Sequence, residues 1–177
     1  MSTAESRPPY NAPQRMVLMG VSGSGKTAVG TALAARLGIS YRDGDDLHPP
    51  ENIAKMSRGE PLDDADRWPW LAKVGRALAA SDGPTIVGCS ALKRSYRSHI
   101  AQEAGGPVVF IHLAGSREVI EARMKARKGH FMPPALLASQ FAALEPPGAD
   151  ENAIAVDIDQ PLDAVVDAIV AKLNSAR

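Results

Sequence analysis

The sequence predicts an α/β fold in which a parallel five-stranded sheet is flanked by helices. Short apolar segments alternate with longer amphipathic ones, which is typical of strand–helix–strand units joined by right-handed crossovers. The apolar segments are rich in valine and isoleucine and nearly continuous, as expected for strands covered on both faces. A chain of 177 residues with 45% hydrophobic composition suffices for one core but not for two independent domains. We therefore predict a single domain over residues 15–177.

Each predicted element has a local signal. MVLMG, IS-Y, TIVGC, VVFIHL and AIAVDI predict strands at 16–20, 39–42, 85–89, 108–113 and 153–158. Amphipathic stretches predict helices at 26–37, 51–58, 66–81, 93–104, 116–128, 134–144 and 161–174. Gly38 stands where a glycine ends the first helix, and Pro161 stands in the first turn of the last. Pro-Pro pairs at 49–50, 133–134 and 146–147 mark the edges of loops.

Composition excludes several classes of function. Twenty basic and twenty acidic residues give a net charge of zero, so no overall field favours nucleic acid or an anionic membrane surface. No run of 18 apolar residues and no apolar leader segment is present, so we expect neither membrane spanning nor secretion. The single cysteine, Cys89, fits a reducing compartment, and a cytoplasmic protein is expected. Residues 1–14 are predicted to be a disordered tail, although a tail docked on a partner subunit would have the same composition.

The segment GVSGSGKT matches the pattern G-x-x-x-x-G-K-[ST] at every fixed position, between a predicted strand and a predicted helix. Glycines let successive backbone N–H groups point inward, and the helix N-terminus adds positive potential, so such a P-loop wraps a nucleoside triphosphate. Lys26 is expected to bridge the β- and γ-phosphates, and Thr27 to offer its hydroxyl to Mg²⁺. The predicted nucleotide-binding residues here are Gly20, Val21, Ser22, Gly23, Ser24, Gly25, Lys26 and Thr27. The alternative is a glycine-rich turn that binds nothing.

Acidic residues follow the second predicted strand, at the edge of the sheet where open α/β folds bind ligands. Asp43 and Asp45 are two apart, so on an extended segment they project to one side. One carboxylate near Mg²⁺ and one near an acceptor hydroxyl would suit phosphoryl transfer. The alternative is an aspartate-rich turn that caps a helix.

Basic residues follow the third predicted strand, in CSALKRSYR. Lys93 and Arg97 are four apart, so on a helix they share one face, and each is a candidate to contact an anionic substrate. The strand carries no terminal Asp-Asp or Asp-Glu and the chain no N-K-x-D, which argues against a motor ATPase and a guanine-nucleotide protein.

Five segments together resemble the gluconate kinase family of P-loop small-molecule kinases. They are GVSGSGKT, DGDDLHPPENIAKMSRGEPLDDADRWPWL, CSALKRSYR, ARKGHFMPPALLASQFAALEPPGADE and VDIDQPL. The similarity extends over essentially the whole chain after the tail. The resemblance implies ATP-dependent phosphorylation of the 6-hydroxyl of D-gluconate, a fold similar to shikimate and nucleoside monophosphate kinases, and a homodimer.

The resemblance also implies roles for single residues. Asp45 would hold and deprotonate the acceptor hydroxyl, with Asp43 nearer the metal. Residues 47–70 would form a substrate-binding subdomain, in which His48 could bind a sugar hydroxyl. Arg67 could meet the gluconate carboxylate, and the sequence does not decide between it and Lys93.

A lid is implied at about residues 127–140. Arg123 and Arg127 are four apart; by the resemblance Arg123 stacks on adenine and Arg127 reaches the phosphates as the lid closes. Pro161 would lie against the edge of the base. The remaining candidates for the substrate pocket are Lys128, His130 and Gln140.

Two rival functions stay open at this point. One is a kinase of the same fold with another acceptor, such as shikimate or a nucleotide. The other is a regulatory ATP-binding module without catalysis.

Overall fold

The computed structural model of the protein describes residues 13–126 and 134–175. The strands are β1 (Arg15–Met19), β2 (Ser40–Asp43), β3 (Thr85–Gly88), β4 (Val109–Ala114) and β5 (Ala153–Asp157). The helices are α1 (Lys26–Leu37), α2 (Pro50–Ser57), α3 (Asp64–Ala79), α4 (Arg94–Ala104), α5 (Arg117–Ala126), α6 (Pro134–Ala143) and α7 (Leu162–Ser175). A short 3-10 turn, Gly44–Leu47, follows β2 directly.

The five strands form one sheet in the order β2-β3-β1-β4-β5, and every pair is parallel. The central strand β1 pairs with β3 on one side and β4 on the other, for example Val17 with Val87 and with Phe110. Met16, Val17, Leu18 and Met19 are completely buried, because helices cover both faces of the sheet. The prediction of a parallel five-stranded α/β fold is confirmed.

The strand order reverses at β1, because the first crossover leads to β2 on one side and a later one to β4 on the other. Open α/β sheets bind ligands at such a point, outside the carboxyl ends of the strands. The segments that follow β1, β2 and β3 therefore meet at one edge of the sheet, and these are the segments that carry the candidate residues.

The chain turns away from β2 through a contact that only glycine allows. A Cβ atom on Gly44 would lie 2.3 Å from the carbonyl oxygen of Gly88 in β3. The Gly44 carbonyl in turn accepts a hydrogen bond of 2.8 Å from the indole N–H of Trp70. Because Asp45 follows Gly44 directly, this contact holds the backbone from which the Asp45 side chain projects.

Gly44→Ala is expected to lower the free energy of unfolding by about 1–3 kcal/mol, because the added methyl group overpacks a backbone contact. Urea denaturation followed by circular dichroism measures the change. Gly83→Ala is the control, since a Cβ there would meet nothing within 4 Å. Equal stability of the two variants would contradict the assigned role of Gly44.

The predicted tail, residues 1–14, lies mostly outside the described residues. Gln14 is described, and its carbonyl accepts a 3.1 Å hydrogen bond from the N–H of Thr85, continuing the pairing of β1 with β3. Within the described ranges, no helix is long and apolar enough to cross a membrane.

Candidate active site

The P-loop connects β1 to α1 and leaves the helix N-terminus open. Gly23 and Gly25 have φ of +82° and +94°, a conformation that other residues rarely adopt. Gly25 is the N-cap of α1 and provides no side-chain hydrogen bond, so the first amides of α1 have no capping side chain. Open amides at a helix N-terminus bind phosphate.

Lys26 is folded back over the loop. Its ammonium donates hydrogen bonds to the carbonyls of Gly20 and Val21, at 2.9 and 3.1 Å. Burial lowers the pKa of Lys26, while the charges of Asp45 and Asp43 oppose that shift. The cation is thus held beside the loop by neutral carbonyls, which a phosphate group can replace as partners.

A cavity of about 470 Å³ opens at the carboxyl edge of the sheet. It is lined by the P-loop, the segment after β2, the end of α2 with the loop that follows it, the start of α3, the segment after β3 and helix α6. Six of the predicted site residues line it: Ser22, Lys26, Asp45, His48, Arg67 and Gln140. In the described part of the chain, Lys26 and Arg67 are the two basic residues that line it.

Asp45 projects into this cavity from the 3-10 turn. The carboxylate of Asp43 caps the turn by accepting the N–H of Asp45 at 2.9 Å, so the alternative of an aspartate-rich capping turn is true of Asp43. Partial desolvation at the cavity wall raises the pKa of Asp45; the charge of Asp43 raises it further and Lys26 lowers it. The Asp45 side chain is nevertheless 74% exposed, so water in the open cavity screens these effects.

His48 and Arg67 lie near Asp45 on the same cavity. The Nε2 atom of His48 is 3.8 Å from Oδ1 of Asp45. Arg67 donates a 3.0 Å hydrogen bond to the hydroxyl of Tyr96, whose own O–H donates to Asp64. The guanidinium of Arg67 is therefore anchored at one edge.

Gln140 of α6 contacts the P-loop directly. Its Oε1 accepts the N–H of Ser22 at 2.6 Å, and its Nε2 donates to the Ser22 hydroxyl at 2.9 Å. Gln140 thus borders the cavity, but in this structure its amide is used to hold α6 against the loop.

A second cavity of about 430 Å³ also borders the P-loop. Gly23 and Gly25 contribute to its wall together with Arg123 and Pro161. The guanidinium of Arg123 donates to the carbonyl of Ile158, which also lines this cavity. The two residues that the resemblance assigned to adenine are therefore brought together beside the loop.

The prediction that Arg97 contacts the substrate is wrong. Arg97 is 2% exposed and is not among the residues that line the cavity. It donates two N–H groups to the carboxylate of Glu151, at 2.8 and 3.1 Å, and the remaining three to the carbonyls of Ala91, Leu92 and Glu145. Its five N–H groups are thus used inside the protein.

The structure does not bring Lys93 to the cavity either. Its ammonium lies 3.2 Å from Asp64 and 5.5 Å from the centre of the Tyr96 ring. Lys93 is the N-cap residue of α4, which begins at Arg94. Between the two candidates for the substrate carboxylate, the geometry therefore favours Arg67.

Three predicted residues, Arg127, Lys128 and His130, lie outside the described residues, as does the first half of the predicted lid.

The residues proposed for magnesium have the right donors. Thr27 lies in the first turn of α1 and Asp43 ends β2, so they offer a hydroxyl and a carboxylate oxygen. No group of three or more His, Cys, Asp or Glu in the described ranges could hold a metal alone. A magnesium ion bound with nucleotide phosphates needs only one or two protein oxygens, since it keeps several waters.

Sequence reasoning missed the residues that hold the cavity side chains in place. Asn52 contacts His48, and Tyr96 and Asp64 anchor Arg67. The spacing His-x-x-x-Asn is visible in the sequence, but His48 precedes α2, so helical spacing alone does not predict the contact.

Three features together define a P-loop kinase. They are parallel strands in the order 2-3-1-4-5, a P-loop after the central strand, and an aspartate that lines the same cavity as the P-loop lysine. An AAA domain family model matches residues 16–147. The chain is similar to the thermoresistant gluconokinase of Escherichia coli (strain K12), with 47% identity over 91% of this chain and 94% of that protein. It is also similar to the crystal structure of a gluconokinase from Sinorhizobium meliloti 1021, with 51% identity, a TM-score of 0.87 and 93% of both chains covered.

The chain belongs to the gluconokinase family. The shikimate kinase from Aquifex aeolicus vf5 shares the fold at 19% identity, with a TM-score of 0.58 over 92% of this chain and 97% of that one. The resemblance on which the sequence analysis relied is therefore confirmed.

Proposed function

We propose that the protein transfers the γ-phosphoryl group of ATP to the 6-hydroxyl of D-gluconate, giving 6-phosphogluconate and ADP. The observation that carries this proposal is that the P-loop lysine, Lys26, and the carboxylate of Asp45 line one cavity. Family membership supports gluconate as the acceptor, because relatives over most of the chain are named gluconokinases.

The charges of the cavity suit a polyhydroxy acid. The guanidinium of Arg67 can bind a carboxylate through two parallel hydrogen bonds. His48, Ser90 and Ser139 also line the cavity and can bind hydroxyl groups. Asp45 lines the same cavity as the P-loop residues Ser22 and Lys26. We infer that an acceptor oxygen held by Asp45 approaches the γ-phosphorus in line.

In the proposed reaction the 6-hydroxyl oxygen forms a bond to the γ-phosphorus, and the bond from that phosphorus to the β–γ bridging oxygen breaks. The carboxylate of Asp45 takes the hydroxyl proton. Lys26 and the amides of the P-loop stabilise the negative charge on the phosphate oxygens. Magnesium, held by Thr27 and Asp43, would neutralise charge on the β- and γ-phosphates when it is bound.

The test is to incubate the protein with ATP and Mg²⁺ and one acceptor from gluconate, shikimate and AMP, following ADP release. We expect turnover with gluconate to exceed that with the other acceptors, and ³¹P NMR to locate the phosphate at the 6-position. Turnover with shikimate or AMP that equals turnover with gluconate would make the protein a kinase for another acceptor. Tight ATP binding without turnover on any of the three would overturn the proposal in favour of a regulatory module.

Arg67→Met is expected to raise the KM for gluconate by about 10- to 100-fold with a smaller effect on kcat, because a charge-assisted hydrogen bond is lost. Initial rates at saturating ATP measure both constants. Lys93→Met removes the same charge from a residue outside the cavity wall and is the matched control. A larger KM for gluconate in Lys93→Met than in Arg67→Met would indicate that Lys93, and not Arg67, binds the gluconate carboxylate.

We further propose that the protein is cytoplasmic and forms a homodimer. The single cysteine, which fits a reducing compartment, supports the first statement, and the family resemblance supports the second. Sedimentation equilibrium of the full chain measures the oligomeric state, and a monomer at micromolar concentration would contradict the second statement.

A further inference from the structure

The imidazole of His48 is held in one orientation. One face of the ring stacks on the indole of Trp70, with centroids 3.9 Å apart and planes inclined by 20°. Its Nδ1 atom lies 3.2 Å from the amide nitrogen of Asn52, and its Nε2 atom lies 3.8 Å from Asp45 Oδ1. A ring flip would put a carbon atom against the Asn52 amide, so stacking and hydrogen bonding together fix which nitrogen faces Asp45.

The orientation of the Asn52 amide is fixed independently of His48. Asn52 is 3% exposed, and its Nδ2 atom lies 2.9 Å from the backbone carbonyl oxygen of Asp66. A carbonyl oxygen can only accept, so the group facing it must be the NH₂ group of Asn52. The second N–H of that group is then directed at Nδ1 of His48, which must carry a lone pair. The proton of a neutral His48 therefore lies on Nε2.

The protonation state of His48 agrees with this assignment. Burial, and then the positive charge of Arg67, lower the pKa of His48 to about 4. An imidazolium would also place an Nδ1–H group against the N–H of Asn52, which is unfavourable. His48 is thus neutral near pH 7.

We propose that Asn52 is a positioning residue that locks His48 in the Nε2–H tautomer, so that His48 offers a hydrogen-bond donor beside the carboxylate of Asp45. This inference rests on the proposed function, because the group that receives the donor is the acceptor hydroxyl of the substrate. Asn52 itself acts only through His48.

A donor and an acceptor at this spacing suit a single hydroxyl group. The 3.8 Å between His48 Nε2 and Asp45 Oδ1 exceeds a hydrogen bond, so neither satisfies the other. One oxygen atom can lie about 2.8 Å from both. It would accept from Nε2–H while its own proton points at Asp45, which leaves a lone pair for the phosphorus. With the opposite tautomer, two acceptors would compete for one hydroxyl proton.

The first test is the tautomer of His48 in the ligand-free wild-type protein. Long-range ¹H–¹⁵N correlation spectra of protein labelled with ¹⁵N-histidine distinguish a protonated from an unprotonated ring nitrogen, and His48→Gln identifies the signals. We expect a protonated Nε2 and an unprotonated Nδ1 at pH 7. A protonated Nδ1, or a doubly protonated ring, would overturn the inference, and this result does not depend on whether gluconate is the substrate.

The second test reverses the direction of the hydrogen bond between Asn52 and Nδ1 of His48. In Asn52→Asp the carboxylate accepts from Nδ1, so we expect the His48 signals to change to an Nδ1-protonated form and the KM for gluconate to rise about tenfold or more. The KM for ATP should stay within about twofold. Ile53→Asp is the matched control, because it adds the same charge to α2 at a residue 52% exposed. Equal effects of the two variants, or unchanged His48 signals in Asn52→Asp, would refute the assignment.

A double-mutant cycle separates positioning from a general structural role. Asn52→Leu is expected to raise the KM for gluconate about tenfold in the wild-type background and to have little effect in the His48→Gln background. An equal rise in the KM for gluconate in both backgrounds would show that Asn52 acts on the fold and not on His48. If Asn52→Leu does not fold, the tautomer of His48 in the wild-type protein and the spectra of Asn52→Asp still test whether Asn52 positions His48. Absence of gluconate turnover in a wild-type protein with the expected tautomer would instead refute the proposed function alone.

Discussion

Asp45→Asn is expected to lower kcat by about 10²- to 10⁴-fold while ATP binding stays nearly intact. The amide keeps the shape of the side chain but cannot take a proton, so the acceptor hydroxyl loses its base. ATP affinity should persist because the groups that bind the phosphates, the P-loop amides and Lys26, are unchanged by the substitution. Steady-state kinetics with gluconate and calorimetric titration with a non-hydrolysable ATP analogue measure the two effects.

The neighbouring residue provides the control for this variant. Asp46→Asn removes the same charge one position along the 3-10 turn, from an exposed carboxylate that is not part of the cavity wall. We expect its kcat to stay within a few-fold of wild type. An equal loss of ATP affinity and turnover in Asp45→Asn would assign Asp45 to the metal or to the fold.

Arg97→Met is expected to lower the free energy of unfolding by about 3–5 kcal/mol. The substitution keeps the apolar part of the side chain but leaves the carboxylate of Glu151, only 12% exposed, without its partner. It also removes the donors to three backbone carbonyls. Guanidinium chloride denaturation at pH 7 measures the loss.

Arg94→Met is the matched control on the same helix. Arg94 pairs with Asp150, but its side chain is 55% exposed, so we expect a loss of at most about 1 kcal/mol. A loss in Arg97→Met no greater than that in Arg94→Met would contradict the assignment of Arg97 as a buried structural residue.

The difference in the free energy of unfolding between wild type and Arg97→Met should also depend on pH. The hydrogen bond from Arg97 holds the pKa of Glu151 below its usual value of 4.5. A carboxyl group whose pKa is lower in the folded state stabilises the protein at pH values above its unfolded-state pKa. That stabilisation is lost as the pH falls through its folded-state pKa. The gap between wild type and Arg97→Met should therefore narrow as the pH is lowered below about 4.5.

Local patterns predicted the elements of this fold, because burial on both faces of a parallel sheet leaves continuous apolar runs. The predicted start of α3 was two residues late. Asp63 and Asp66 form a capping box that begins the helix at Asp64, and this pair is itself a sequence signal for a helix start.

The four-residue spacing of Lys93 and Arg97 predicted that they share a helix face, but not whether that face points to the cavity or into the protein. Arg97 lies on a helix as expected, but its partner Glu151 is 54 residues further along the chain. A basic residue near a ligand edge and a buried ion-pair partner have the same local sequence, so only the fold distinguishes them. The same holds for Gln140, whose partner Ser22 is 118 residues away.

Cys89 follows β3, is completely buried, and burial raises the pKa of its thiol to about 12. Cys89 is the single cysteine of the chain, and its burial keeps it from maleimide dyes. A cysteine placed on an exposed position of α6 would be labelled selectively without first removing Cys89. Fluorescence from such a dye can report how α6 responds when nucleotide and sugar acid are added in either order.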